Sequence, residues 1–505
     1  MRYDYLYKYW DKYGNDGLKK LMKGGAVFKN GHYNYIPTYT APGHCSIYTG
    51  TTPAVHGIAG NDWIDRISGK SIYCTSDSLE VTPVGTSDKK IAAHSPRRQM
   101  VTTIGDELKI FTNFKSKVVG VALKDRSSIL PAGHNANGAY WYDNTTGGLV
   151  SSSFYVKELP VWVTKFNEKK LADAYLSKPW NTLLPIETYT ESFADSNKYE
   201  GLFKEEKKPI FPHDLPALRK ANGMGLLRET PFGNTFTKEM AIAAIEGEGL
   251  GLDNIPDLLA VSFSSPDHIG HKYGPQSVEV EDCYLRLDLE IAALISYLET
   301  KVGKDNFLLF LAADHGASQN ANYLSDQKIP AGHYKPKEFT DSLKAMMAQR
   351  YGAGDWIIGY ENDQVYFNRP LMASRRMNPE EVENVVARWI ETRPNVHKAI
   401  PSHVLRNGAA SAKMEQLAQN GLHPFRSGDV TVIMNFGYME WAETGTTHGT
   451  SFTYDTHIPM IFYGKGVKPG EYLQAANIVD IAPTISTIAN IPFPGAATGK
   501  VLDIK

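Results

Sequence analysis

The sequence predicts an α/β fold: a single large domain with a mostly parallel central sheet flanked by helices, plus inserted cap segments. Three features of the chain predict it. Short apolar runs recur along the sequence, as expected of strands that are buried on both faces. Amphipathic segments with helical spacing alternate with these runs, which favours strand–helix–strand connections. Polar clusters follow several of the runs, at the edge where α/β sheets place their ligands.

The overall composition excludes several classes of protein. The chain has 505 residues, of which 42% are hydrophobic and 21% charged, and a net charge of −2. This composition is typical of a globular protein with a large core. A net charge this close to zero provides no overall positive potential that would attract nucleic acid. No apolar run reaches the roughly 18 residues of a membrane span. The three cysteines have no metal-ligand spacing and allow at most one disulfide.

The beginning of the chain is predicted to be a helix over residues 3–22, with Gly14 and Gly17 weakening its middle. An α/β chain usually places a strand before its first helix, and none precedes this one. No signal peptide is visible either. We therefore expect a signal peptide and the first strand to be encoded upstream of Met1.

The remaining elements follow in order along one α/β domain that is predicted to span residues 1–505. Apolar runs predict strands at 118–123, 258–263, 307–312, 430–434 and 460–463. Helical spacing predicts helices at about 102–111, 238–246, 276–300, 379–392 and 480–489. Residues 130–232 lose this alternation and are rich in Tyr, Trp, Pro, Asn and Lys, which predicts a cap insertion. Residues 319–376 predict a second insertion.

The segment 36–65 contains the candidate nucleophile, Thr40. Pro42 suits the first turn of a helix, because its missing N–H costs nothing there. A helix that begins at this point turns its unpaired N–H groups toward Thr40, which makes an anion site beside a hydroxyl. On this segment alone, an ordinary helix cap by Thr40 is the simpler interpretation.

Three polar clusters at the ends of apolar runs supply candidate metal ligands. Asp267 and His271 are four residues apart, so a helical turn would place both on one face. Asp314 and His315 directly follow a predicted buried strand, and His448 lies in the segment THGT. Taken alone, each cluster has a structural explanation: Asp267 as a turn residue, His315 as a hydrogen-bonded histidine at the rim of the sheet, and His448 as a loop histidine. Together, two aspartates and three histidines from three segments predict a two-metal hydrolytic site.

A basic pair is predicted at the same sheet edge. Lys124 and Arg126 directly follow the apolar run 118–123, which places them at that edge. Because successive side chains of an extended backbone point to opposite faces, these two would point to the same face. Arg126 offers a planar fork that suits phosphate, whereas Lys124 offers a compact positive charge. A solvated turn is the alternative interpretation of this pair.

Five motifs occur in the order TAPGH, HGIAGN, PDHIGHKYGP, AADHG and THGT. They resemble those of the alkaline phosphatase superfamily, most closely the bacterial phosphate-irrepressible alkaline phosphatases, a monoesterase group related to the nucleotide pyrophosphatase/phosphodiesterases. The resemblance covers nearly the whole chain. It implies a periplasmic or secreted hydrolase that acts on small phosphate monoesters through a phosphothreonine. We expect a monomer with no nucleic-acid partner and no membrane span.

The resemblance also implies a role for each candidate residue. It assigns one zinc ion to Asp267, His271 and His448, a second zinc ion to Asp314, His315 and Thr40, the nucleophile to Thr40, and the phosphoryl-binding contacts to Asn61, Lys124 and Arg126. Two zinc ions per chain are thus the expected cofactors. One departure matters. In the family the second zinc also takes an Asp at the end of the first strand, and that segment would precede Met1.

Several alternatives stay open. Phosphodiesterases and nucleotide pyrophosphatases share the zinc ligands but generally lack the Lys-x-Arg pair, so Lys124 and Arg126 favour monoesters. A sulfatase is disfavoured, because it would carry C-x-P-x-R or S-x-P-x-R near Thr40 and this chain has neither motif there. A cofactor-independent phosphoglycerate mutase would carry Ser there and prefer manganese. A chain without the upstream Asp could also be an inactive relative, which a metal assay on this chain and on an extended one would distinguish.

Overall fold

The computed structural model describes residues 1–408 and 410–505 and confirms the α/β class. The strands are β1 (Ala26–Phe28), β2 (Gly31–His32), β3 (Asp62–Ile64), β4 (Ser71–Tyr73), β5 (Pro83–Val84), β6 (Val118–Ala122), β7 (Gly138–Tyr142), β8 (Leu149–Ser152), β9 (Leu258–Ser262), β10 (Leu308–Ala312), β11 (Gly332–His333), β12 (Ile357–Glu361), β13 (Gln364–Phe367), β14 (Val396–Pro401), β15 (Val430–Met434), β16 (Tyr438–Met439), β17 (Met460–Gly464), β18 (Gly470–Tyr472) and β19 (Ala476–Asn477).

The α-helices alternate with these strands along most of the chain. They are α1 (Tyr5–Lys8), α2 (Leu18–Gly24), α3 (Thr40–Thr49), α4 (Pro53–His56), α5 (Lys89–Ala92), α6 (Ile104–Phe111), α7 (Asp125–Ala132), α8 (Val161–Glu168), α9 (Leu171–Leu176), α10 (Leu215–Asn222), α11 (Phe232–Glu248), α12 (Ser265–Tyr273), α13 (Val278–Leu298), α14 (Ala321–Asp326), α15 (Pro336–Tyr351), α16 (Arg369–Ser374), α17 (Pro379–Glu391), α18 (Ser402–Asn407), α19 (Lys413–Gly421), α20 (Thr453–Thr456) and α21 (Ile481–Ala489).

Two sheets contain most of the strands that the sequence predicts. In the five-stranded sheet, with order β5-β8-β7-β6-β9, β6 is parallel to both of its neighbours. In the four-stranded sheet, with order β10-β17-β1-β18, β17 is antiparallel to both of its neighbours. The apolar runs are therefore strands, as predicted, but four of them divide between these two sheets, the run 430–434 lies in another sheet as β15, and the pairing is mixed.

A third sheet, with order β12-β13-β15-β14, has a hydrophobic cluster of its own. Trp356, Val365 and Val432 pack there against Leu343 of α15 and Val386 of α17. Helix α17 is amphipathic, and its apolar stripe faces this sheet. Residues 336–434 thus form a layer that is separate from the five-stranded and four-stranded sheets. The boundaries predicted for the insertions, 130–232 and 319–376, stay predictions.

The predicted helix over residues 3–22 is wrong in its middle, where the chain breaks between α1 and α2. Asp288 of α13 accepts hydrogen bonds from the backbone N–H groups of Gly14 and Leu18. A Cβ atom at Gly17 would lie 2.3 Å from the Asp288 carbonyl oxygen, so only glycine permits this close approach. A contact between distant parts of the chain therefore interrupts the helix.

Two further observations concern the cysteines and the length of the helices. Cys45, Cys74 and Cys283 are buried and form no disulfide within the described residues. In the same part of the chain, no helix combines the length and the apolar character that crossing a membrane requires.

A buried histidine joins the segment before α10 to the first turn of α13. His213 is 1% exposed, with Nδ1 2.7 Å from Glu206 Oε1 and Nε2 3.3 Å from Glu279 Oε1. Burial alone would lower the pKa of His213, but the hydrogen bonds and charges of the two glutamates raise it to about 9. A charged imidazole between two carboxylates thus holds this segment against α13.

Replacing His213 by glutamine is expected to lower the free energy of unfolding in a pH-dependent way. The pKa in the folded state exceeds the ordinary value of 6.5, so the stabilisation is complete below pH 6.5 and is lost as the pH rises through about 9. A rise of that size corresponds to on the order of 3 kcal/mol. Urea unfolding should therefore separate the two proteins widely at pH 6 and little at pH 10. An equal separation at both pH values would mean that the folded protein holds a neutral imidazole.

Candidate active site and metal centre

Helix α3 begins at the candidate nucleophile, in agreement with the position of Pro42. Thr40 is the first residue of the helix and is 1% exposed. Asn61 Oδ1 accepts a hydrogen bond of 2.9 Å from the backbone N–H of Ala41. This bond fixes the Asn61 amide beside the N-terminus of the helix and leaves its Nδ2 hydrogens for another partner.

The structure brings Asp267, His271 and His448 together, as predicted. Asp267 and His271 lie one turn apart on α12, and His448 comes from the loop before α20. One ligand atom of each lies within 4.8 Å of the others. Asp267 Oδ1 is 3.3 Å from Nε2 of His271 and 3.7 Å from Nε2 of His448.

The three candidate histidines all present Nε2 to this centre. Each Nδ1 lies 2.8 Å from a backbone carbonyl oxygen, in the pairs His271–Thr446, His315–Gly316 and His448–Thr38. Because Nδ1 donates its hydrogen to the carbonyl, Nε2 of a neutral ring carries a lone pair. Burial lowers the pKa of His315 and of His448, which keeps both rings neutral. Three lone pairs thus face Asp267 Oδ1 with no hydrogen donor between them, and this arrangement fits a bound cation.

Asp314 and His315 lie directly beside this group. Nε2 of His315 is 3.7 Å from Asp267 Oδ1 and 3.5 Å from Asp314 Oδ2, and it has no hydrogen-bond partner among the described residues. The His315 ring stacks on His448 with 3.3 Å between the ring centres. The Met1 amino group donates a hydrogen bond of 2.8 Å to the His315 carbonyl. Asp314 and His315 are therefore a second set of candidate metal ligands, directly beside Asp267, His271 and His448.

The carboxyl group of Asp314 is strongly acidic in this setting. Burial would raise its pKa, but the neighbouring His315 and His44 rings and the Met1 amino group together lower it well below the ordinary value. The group is therefore ionised at neutral pH, as a metal ligand must be.

Lys124 and Arg126 approach the centre from the end of β6. Lys124 Nζ lies 2.5 Å from Asp267 Oδ2. Arg126 Nη1 donates to the Tyr73 hydroxyl at 3.1 Å, and that hydroxyl donates to Asp125 Oδ1 at 2.7 Å. Nε of Arg126 is buried without a hydrogen-bond partner in the described part of the chain. Tyr73 thus orients the guanidinium, which keeps a donor for an anion.

The backbone of this pair differs from the prediction. Lys124 is extended, but Arg126 lies in the first turn of α7 rather than on a continuing strand. The predicted alternation along an extended backbone is therefore wrong. Asp125 is compatible with this helix start, because an acidic residue is favourable in the first turn.

The sequence-based prediction missed two supporting residues. Nδ1 of His44 lies 2.9 Å from the Thr40 carbonyl oxygen and 3.5 Å from Asp314 Oδ2. Asp455 Oδ2 accepts hydrogen bonds from two backbone N–H groups of the loop that follows His448. The four-residue spacing of His44 from Thr40 is a signal that could have found the first. No local pattern marks Asp455, because its contacts depend on the fold of the loop.

Comparisons with known proteins agree with the motifs. The family described as type I phosphodiesterase / nucleotide pyrophosphatase matches residues 1–457. The chain is 45% identical to the alkaline phosphatase PafA of Elizabethkingia meningoseptica, over 99% of this chain and 91% of that protein. It is 44% identical to a protein of Myroides odoratus described as a calcium-transporting ATPase, with 99% and 91% covered. It is 41% identical to the alkaline phosphatase PhoV of Synechococcus elongatus, with 99% and 90% covered.

The fold agrees equally well. The crystal structure of wild-type PafA superposes on this chain with a TM-score of 0.96 at 45% identity, covering 99% of this chain and 96% of that one. The resemblance drawn from the five motifs is thereby confirmed. The chain belongs to the type I phosphodiesterase / nucleotide pyrophosphatase family, within the alkaline phosphatase superfamily, and it is an enzyme of the alkaline phosphatase group.

Proposed function

We propose that this enzyme hydrolyses phosphate monoesters through a phosphothreonine intermediate on Thr40, at a site that holds two zinc ions per chain. One observation carries the proposal. Nε2 lone pairs of His271, His315 and His448 converge on Asp267 Oδ1 beside the helix that begins with Thr40. The alkaline phosphatase relatives support the same activity.

The donor set suits zinc, which prefers imidazole nitrogen and carboxylate oxygen. Asp267, His271 and His448 would hold one ion, and Asp314, His315 and Thr40 would hold the other. When bound, the zinc ions would lower the pKa of a coordinated hydroxyl and stabilise the charge that develops on the leaving oxygen.

Thr40 acts as the nucleophile in this proposal. The free N–H groups and the positive end of the α3 dipole favour an anion at its Oγ1 and at the phosphoryl group. The Thr40 hydroxyl gives its proton to water as Oγ1 forms a bond to phosphorus, the ester P–O bond breaks, and the alcohol leaves with a proton taken from water. Water then attacks the phosphorus of phosphothreonine, which releases inorganic phosphate and restores the Thr40 hydroxyl.

Asn61, Lys124 and Arg126 favour a monoester over a diester. A monoester dianion has three non-bridging oxygens, whereas a diester presents two and carries a substituent at the third position. The Nδ2 group of Asn61, the Lys124 ammonium and the Arg126 guanidinium supply more donors than a diester can use, and their charge favours the dianion. Diester or pyrophosphate hydrolysis is the second candidate, because the matching family is named for it.

A metal-reconstitution assay tests the proposal. The protein is stripped with a chelator, reloaded with zinc, magnesium or calcium, and assayed on 4-nitrophenyl phosphate and methyl 4-nitrophenyl phosphate, which share one leaving group. We expect zinc to restore activity, elemental analysis to find two zinc ions per chain, and the monoester to react about 100-fold faster or more. A faster diester would make the enzyme a phosphodiesterase. A folded, zinc-loaded protein without turnover would support the inactive-relative alternative.

The periplasmic or secreted location and the monomeric state stay predictions. Fractionation of cells that produce the protein, and light scattering of the purified protein, would test them.

A further inference from the structure

A cavity of about 70 Å³ adjoins the proposed catalytic centre on the side of His448. Tyr39, which precedes the nucleophile, lines it together with His448. Asn362 and Asp363, at the tip of the β12–β13 hairpin, line it from the neighbouring layer. The cavity thus shares His448 and the neighbour of Thr40 with the proposed catalytic centre, and it adjoins the place where an ester would bind.

Two carboxylates that line this cavity, and a third on the same hairpin, have no positive partner among the described residues. Asp363 and Glu440 line it, and Glu361 lies two residues before Asp363 on the same hairpin. Burial and the charges of Asp363 and Glu361 raise the pKa of Glu440 to about 7. Among the described residues, no basic side chain is paired with any of them.

Asp363 is held in place with one carboxylate oxygen unused. Its Oδ1 accepts hydrogen bonds from the hydroxyl groups of Tyr334 and Tyr360, and within the described residues Oδ2 accepts none. Asn362 and Asp363 have φ angles of 54° and 55°, as a tight two-residue hairpin requires. Nδ2 of Asn362 donates a hydrogen bond of 2.7 Å to the Asp62 carbonyl. The hairpin tip is thus fixed to the strand that follows Asn61.

The remaining lining combines aliphatic and small polar residues with several aromatic rings, and it includes an unpaired hydroxyl. Tyr39, Tyr334 and Phe452 contribute rings, and aromatic faces attract cations. Ser451 also lines the cavity, is 8% exposed, and has an Oγ atom without a hydrogen-bond partner in the described part of the chain. Carboxylates and aromatic faces without a protein cation are the features that recognise an ammonium group.

We propose that this cavity binds the alcohol part of the substrate and selects alcohols that carry an ammonium group, with Asp363 as the anionic partner and Tyr39 as the aromatic face. The inference rests on the proposed monoester hydrolysis at Thr40. The phosphoryl group of such a substrate meets Lys124 and Arg126, while its ammonium group meets the carboxylates. The same carboxylates disfavour alcohols that carry a second anionic group.

A matched pair of substrates tests the inference. Choline phosphate and 3,3-dimethylbutyl phosphate have the same shape and differ by the charge on one atom. The ratio of their kcat/KM values is compared in the unchanged protein, in Asp363→Asn and in Asp341→Asn, a matched change on the exposed face of α15. We expect Asp363→Asn to lower the preference for choline phosphate about tenfold, and Asp341→Asn to keep it.

Direct binding separates this inference from the proposed activity. Calorimetry on the zinc-loaded protein should detect tetramethylammonium, with affinity about tenfold lower in Asp363→Asn. An unchanged substrate ratio together with unchanged tetramethylammonium binding would overturn the inference and leave monoester hydrolysis intact. Turnover of neither ester by the unchanged protein would contradict the proposed function instead, and tetramethylammonium binding would then decide the cavity's role by itself.

Discussion

Replacing Lys124 and Arg126 together by alanine is expected to lower kcat/KM for a phosphate monoester by several powers of ten. Loss of one donor that acts in the transition state typically costs about 2.7–4 kcal/mol, and this change removes two. Diester hydrolysis should fall far less, because a diester lacks the third non-bridging oxygen that these groups would bind. The comparison uses 4-nitrophenyl phosphate and methyl 4-nitrophenyl phosphate, so that the leaving group is the same.

A matched control removes the same two charges elsewhere. Arg219→Ala with Lys220→Ala takes them from α10, where Arg219 pairs with Asp173. This variant should retain the activity of the unchanged protein toward both esters. Equal losses for the two esters in the Lys124 and Arg126 variant would mean that the pair is structural, and the assignment to monoesters would lose its main support.

Replacing His448 by alanine is expected to abolish turnover and to reduce the zinc content. His448 is buried, and its Nδ1 is committed to the Thr38 carbonyl, so Nε2 is the candidate ligand atom that this change removes. Elemental analysis and the monoester assay should show both losses. Occupancy in the unchanged protein should fall in acid, because protons compete with the metal for imidazole and carboxylate.

His397→Ala is the control for this change. His397 lies exposed on β14, away from the ligand group, so its loss removes an imidazole without touching the centre. Full zinc content and full activity in His448→Ala would show that the metal site has been placed wrongly.

The sequence predicted those parts of the site that depend on local spacing. Asp267 and His271 are four residues apart, and a helical turn does place them on one face. Apolar runs predicted the strands β6, β9 and β10; β6 is buried as expected, whereas β9 and β10 are only partly buried. The position of Thr40 followed from Pro42, since that residue fits the first turn of a helix.

The remaining features depend on contacts between distant segments. Helix α2 starts late because Asp288 binds the backbone near Gly17, and nothing close to Gly17 in the sequence shows this. The ring orientation of His271 depends on the Thr446 carbonyl, and a backbone group leaves no sequence signal. The hairpin tip at Asp363 lies beside His448 because the third sheet packs there, and no local pattern in the sequence shows that packing.

The most direct test of the central claim is the identification of a trapped phosphoenzyme. The zinc-loaded protein is mixed with 4-nitrophenyl phosphate, quenched in acid during the first turnover, digested and examined by mass spectrometry. We predict one phosphoryl group, on Thr40, in the unchanged protein and none in Thr40→Ala, which should also lose turnover. Phosphate on a different residue, or full turnover by Thr40→Ala, would contradict the proposed mechanism.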